Sequence, residues 1–138
     1  AVCPVPGLID MATPAFEEVG VKSAKREAFW YRRTFRLEGS LPAVALLKVN
    51  KARYGTKVYV NGQTVGEHAP NFTPGWFDVR PCLKADGAEN ELLIRMGASL
   101  AQVPLYLTEG WDFEKSRYIP GIYDSVELIL SGEPARFM

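Results

Sequence analysis

A nucleophile needs a base within hydrogen-bond reach, and His68 is the sole histidine of the chain, so any Ser-His or Cys-His arrangement rests on that one residue. A histidine just after a hairpin strand is more often an exposed polar residue than a catalyst, and that reading is favoured. No G-x-S-x-G or H-E-x-x-H run occurs, and no glycine-rich phosphate loop. Sixteen Asp and Glu make a chance carboxylate pair easy, so acidic content nominates no glycosidase-type dyad. Cys3 and Cys82 lack the close Cys and His spacing that zinc requires. With so few cysteines, free thiols packed as small hydrophobes are favoured over a disulfide. No metal site and no cofactor is expected.

The suggestive chemistry is recognition. Trp111, Asp112, Phe113, Glu114, Lys115, Arg117 and Tyr118 lie together in sequence. Aromatic faces stack on the C–H patches of sugars, and planar polar groups bond paired hydroxyls, so this mixture suits a carbohydrate. The same aromatics would also suit a loop anchor or a protein interface. A secondary candidate is the loop from His68 to Gly75 with Trp76 at its end, in which His68, Asn71 and Trp76 could meet a ligand. Its prolines also fit a plain structural loop at a strand edge.

The elements that position these loops read as strands. Short β-branched and aromatic runs alternate with Gly, Pro, Asn and Asp clusters. From Phe29 to Leu37, alternation puts Phe29, Tyr31, Phe35 and Leu37 on one face, and Trp30, Arg32, Thr34 and Arg36 on the other. Arg33 falls on the apolar face and is expected to form an ion pair there, or else to reach solvent at the sheet edge. Further strands are expected over residues 43–49, with Ala45, Leu47 and Val49 inward, and over 56–60, with Val58 and Val60 inward. Asn61-Gly62 tolerates the positive φ angles of a two-residue hairpin, which pairs Val58 to Val60 with Gln63 to Glu67. Residues 76–79, 91–96 and 126–130 supply the rest. Residues 97–120 show no clean period, and residues 1–27 read as an irregular extension with one short helix over 17–25. The class is all-β, a sandwich of two antiparallel sheets in one domain over residues 1–138, with its core at 28–130.

A formal charge of zero gives no long-range field for nucleic acid or anionic lipid, and no apolar run is long enough for membrane insertion by a helix. A cleaved leader leaves no trace, so export stays open.

Five segments resemble, in order, the N-terminal sugar-binding domain of glycoside hydrolase family 2. They are Phe29-Trp30-Tyr31-Arg32-Arg33-Thr34-Phe35, Val58-Tyr59-Val60-Asn61-Gly62-Gln63-Thr64-Val65-Gly66, Phe77-Asp78-Val79, Glu89-Asn90-Glu91-Leu92-Leu93-Ile94, and Pro120-Gly121-Ile122-Tyr123-Asp124-Ser125-Val126-Glu127-Leu128. The resemblance implies a jelly-roll, galactose-binding-like β-sandwich. It implies a fragment of a longer retaining glycosidase of galactosidase, glucuronidase or mannosidase type, whose catalytic glutamates lie on a separate barrel. The implied partners are carbohydrate or the catalytic domain of the same parent chain, in a periplasmic or secreted setting. An autonomous carbohydrate-binding module or lectin, and a purely structural interaction domain, are the alternatives. By position, Trp111 to Tyr118 form the loop that in relatives can reach the active site. Two residues depart from the resemblance: Arg80 where Thr or Ser commonly stands, and Asp124 where Arg often stands. Asp124 must therefore find a different partner.

Overall fold

Residues with alternating burial form the strands. The computed structural model describes residues 1–21, 23–106 and 119–133. In chain order these give β1 (Gly7–Leu8), β2 (Ala28–Arg36), β3 (Val44–Val49), β4 (Ala52–Arg53), β5 (Thr56–Val60), β6 (Gln63–His68), β7 (Gly75–Asp78), β8 (Glu89–Gly97), β9 (Gly121–Ile122) and β10 (Val126–Ser131). Three short 3₁₀ turns, Ile9–Met11, Arg80–Cys82 and Leu100–Gln102, are the helical elements among the described residues.

Two sheets make the sandwich, one ordered β2-β8-β5-β6 and the other β10-β3-β7, all antiparallel. Register stacks the inward residues in rows: Phe29 beside Met96 beside Thr56, then Tyr31, Ile94 and Val58, then Arg33, Leu92 and Val60. The opposing sheet presents Val126 beside Val49 beside Gly75, and Leu128 beside Leu47 beside Phe77. These faces bury Ala45, Val58, Val60, Ile94 and Met96 to 2% exposure or less. Each fully buried Ile or Met stabilises the fold by roughly 1.5–3 kcal/mol.

The expected hairpin is present. Asn61 (φ 51°) and Gly62 (φ 79°) form the turn, and Val60 pairs with Gln63, Tyr59 with Thr64 and Val58 with Gly66 across a bulge. Gly62 is needed there because an L side chain disfavours positive φ.

Three expectations change. The predicted helix over 17–25 is absent: the described residues of that stretch form bends and turns, and Glu18 takes a positive φ of 56° that a helix cannot contain. The segment before Ala28 is less irregular than its composition suggests. It supplies β1, a 3₁₀ turn and the core residues Ile9 and Ala12. Together β1, β9 and β4 make a third small sheet, whose two-residue strands are too short to show alternation. Finally, Arg33 is exposed and joins no ion pair among the described residues. The carboxylates near β2 lie on its outer face instead, where Arg32 meets Glu91 at 2.5 Å and Arg36 meets Glu89 at 3.6 Å. Because β2 is an edge strand among the described residues, Arg33 reaches water without crossing the core.

Candidate functional site

The loop between β6 and β7 is pinned across its base and at its middle. His68 closes β6, and its Nε2 lies 2.9 Å from the Thr73 carbonyl and 3.1 Å from the Thr73 hydroxyl, the geometry of a ring N–H donating across the loop. The Tyr123 hydroxyl donates to the Asn71 carbonyl at 2.7 Å. Asn71 itself is 1% exposed, so it sits in the interior and not on a ligand-facing surface. Trp76 is 53% exposed, because Phe77 takes the inward position of β7, and the Lys48 ammonium stands 5.1 Å from its ring centroid. The structure therefore separates the three secondary candidates: His68 braces a loop, Asn71 is enclosed, and Trp76 faces solvent.

Trp111, Asp112, Glu114, Lys115, Arg117 and Tyr118 lie outside the described residues.

A surface that sequence reading did not assemble is the outer face of the four-stranded sheet. Trp30, 55% exposed, packs its ring 5.6 Å from that of Tyr59. The two residues stand on strands separated by β8, in adjacent rows: Trp30 beside Arg95 beside Lys57, and Arg32 beside Leu93 beside Tyr59. Alternation marks both rings as outward, but only the long-range register shows that they meet.

Cys3 and Cys82 are free. The Cys3 sulfur lies 3.4 Å from the Leu8 carbonyl and 3.9 Å from the Tyr31 hydroxyl. Burial pushes the Tyr31 hydroxyl above its ordinary pKa, and the neighbouring Cys3 adds to the effect. Among the described residues no group of three or more His, Cys, Asp or Glu is placed to hold a metal ion. No helix among them is long and apolar enough to cross a membrane.

Both departures from the family pattern find local partners. Arg80 donates its Nε to the Pro42 carbonyl at 2.7 Å, and its backbone N–H meets Asp78 Oδ1 at 3.1 Å. Asp124 accepts the Ser125 backbone N–H at 2.8 Å and stands 3.2 Å from Lys51 Nζ. The Ser125 hydrogen bond and then Lys51 hold the Asp124 carboxyl below its ordinary value. A depressed acid stabilises the fold above its unfolded pKa, and that contribution is lost as pH falls through the folded value. Asp124→Asn is thus expected to lower the urea midpoint at neutral pH and to converge on the parent chain in acid. A gap constant from pH 7 to about pH 2 would contradict the assignment.

A family profile described as glycosyl hydrolase 2 galactose-binding domain-like matches residues 7–106. No curated protein matches the sequence significantly. Among solved structures, the β-D-mannosidase of Dictyoglomus thermophilum is similar over 94% of this chain and 20% of its own, at 22% identity and a TM-score of 0.70. A β-glucuronidase of Ruminococcus gnavus is similar over 77% of this chain and 20% of its own, at 20% identity and a TM-score of 0.60. The β-glucuronidase 2 of Bacteroides uniformis is similar over 75% and 12%, at 28% identity and a TM-score of 0.57. The chain spans a fifth or less of the length of these three enzymes. With the profile covering most of the sandwich, the chain belongs to the glycosyl hydrolase 2 galactose-binding domain-like family.

Proposed function

We propose that residues 1–138 form one accessory domain of a longer retaining glycoside hydrolase, which buttresses a catalytic barrel and itself performs no bond cleavage. The observation that carries this reading is the family match over residues 7–106 in a chain that corresponds to only 12–20% of the glycosidases it resembles. The described residues support it further. The single histidine is engaged with its own loop, and Asp124, Glu91 and Glu89 are each paired with a cation on the surface. Acid–base catalysis needs groups held toward a substrate with matched pKa values, which these pairings do not favour.

In this reading the partners are the barrel of the same polypeptide and the carbohydrate that it cleaves, and the stretch around Trp111 contributes to the substrate entrance. The test is direct. The purified 138-residue chain is expected to release no nitrophenol above the buffer blank from nitrophenyl β-galactoside, β-glucuronide or β-mannoside. Turnover by this chain alone, retained through purification, would sink the proposal.

A further inference from the structure

Among the described residues the sandwich is shut along one side and open along the other. Where β6 meets β7, a Cβ at Gly66 would stand 3.2 Å from the Phe77 ring, and one at Gly75 would stand 2.9 Å from the His68 Cβ. Between β2 and β10 lies a cleft of about 730 Å³ that reaches the core, with Tyr31, Phe35, Leu47, Ile94, Ile122 and Leu128 on its walls.

Among the described residues both strands beside this cleft are sheet edges, but they are edges of different kinds. The Ser125 carbonyl accepts from the Asn50 N–H, so Ser125 directs its backbone toward β3. In the antiparallel register of β10 with β3, Val126, Leu128 and Leu130 then turn their N–H and C=O groups to the free side. The same alternation, set by the Ala98 N–H bonded to the Glu27 carbonyl, turns Trp30, Arg32, Thr34 and Arg36 to the free side of β2. Arginines blunt an edge against pairing, whereas an apolar run leaves it open to a partner strand. The free positions of β10 carry no charge, and Ile129 and Leu130 are 37% and 45% exposed.

We propose that this cleft receives one further extended strand of the parent polypeptide, lying outside residues 1–138 and hydrogen-bonded to β10. Alternate side chains of that strand enter the cleft, so they must be apolar, and a carboxylate beside them meets Arg33, which lines the cleft and has no ion-pair partner among the described residues. A second copy of this chain fits less well. Pairing β10 with its own copy about a two-fold axis would set two clefts mouth to mouth and fill neither. The proposal rests on the reading of the chain as part of a longer polypeptide.

Amide hydrogen exchange, measured on the 138-residue chain and on the native polypeptide encoded with it, tests the strand. The amides of Val126, Leu128 and Leu130 are expected to exchange at least about 100-fold more slowly in the native polypeptide. In the isolated chain they are expected to exchange fast at every concentration. Leu130→Lys is expected to lower the melting temperature of the native polypeptide and leave that of the isolated chain nearly unchanged. Equal exchange in both proteins would overturn the strand, and so would slow exchange in the isolated chain that grows with concentration, the mark of a second copy. Fast β10 exchange in a native polypeptide that cleaves glycosides overturns only the strand. Slow exchange in one that lacks a catalytic barrel overturns only the enzyme reading.

Discussion

Asn90→Ala is expected to destabilise the chain by roughly 3 kcal/mol or more, since each buried polar group left unpaired costs about 1–3 kcal/mol. Asn90 is fully buried near the start of β8. Its Oδ1 accepts from the Lys84 backbone N–H at 2.8 Å and from Asn61 Nδ2 at 2.8 Å, while its Nδ2 donates to the Lys84 carbonyl at 2.9 Å. Asn61 extends the network by donating to the Cys82 carbonyl at 2.7 Å and accepting the Glu91 N–H at 2.9 Å. The two amides, Asn90 and Asn61, thus tie together the β5–β6 turn, the 3₁₀ turn after β7 and the start of β8. An alanine methyl can replace none of these bonds, and the cavity is too enclosed for easy repair by water. A total stability on the order of 5–15 kcal/mol makes the loss large.

The companion variant Asn90→Asp separates the donor from the acceptor. It keeps an oxygen facing the Lys84 N–H but aims a carboxylate at the Lys84 carbonyl. Burial and that carbonyl would raise the folded pKa of the new acid, so its stability should recover as pH falls and the carboxyl protonates. Urea denaturation of both variants followed by circular dichroism checks the pair. An Asn90→Ala unfolding free energy within about 0.5 kcal/mol of the parent would show that the network carries little.

The part of this network visible in sequence is half of it. Asn61-Gly62 announces a hairpin because its φ requirement is local, and the structure places the turn there. Asn90 carries no such mark: Lys84 lies only six residues before it, but Asn61 is brought near by the pairing of β5 with β8. The inward sets Ala45-Leu47-Val49 and Leu92-Ile94-Met96 were legible for the same local reason: period-two burial is a property of one strand. The rows that join Trp30 to Tyr59, and the mismatch between the edges of β2 and β10, belong to register and sheet order. Alternation within a strand does not encode them. Arg33 shows the limit from the other direction. Its face was read correctly, but whether that face is covered depends on which strand lies at the sheet edge.

The Gly-Ile segment before β10 gives the second large effect. Gly121 lies in β9, the middle strand of the small sheet between β1 and β4. A Cβ there would stand 2.5 Å from the Gly7 carbonyl oxygen, 2.6 Å from the Leu8 Cα and 2.8 Å from the Leu8 Cδ2. Two of these three atoms are backbone, so no rotamer change relieves the clash, and β1 must move away. Its departure would break the bond from the Ile9 N–H to the Pro120 carbonyl at 2.9 Å and pull Ile9, 2% exposed, from the core. Burial of that side chain alone is worth roughly 1.5–3 kcal/mol. Gly121→Ala is therefore expected to lower the melting temperature by several degrees or more and to open the first dozen or so residues to protease while β2 and β8 remain protected. Gly39→Ala is the control. Gly39 has a positive φ of 72° with nothing within 4 Å of an added Cβ, so its substitution costs only the left-handed preference, about 1–2 kcal/mol, and should leave the N-terminal segment intact. Equal protease sensitivity in the two variants would mean that close packing at Gly121 is not what holds β1. Selective release in Gly121→Ala alone would trace the glycine of the Gly-Ile pair to the contact that fastens the N-terminal segment onto the sandwich.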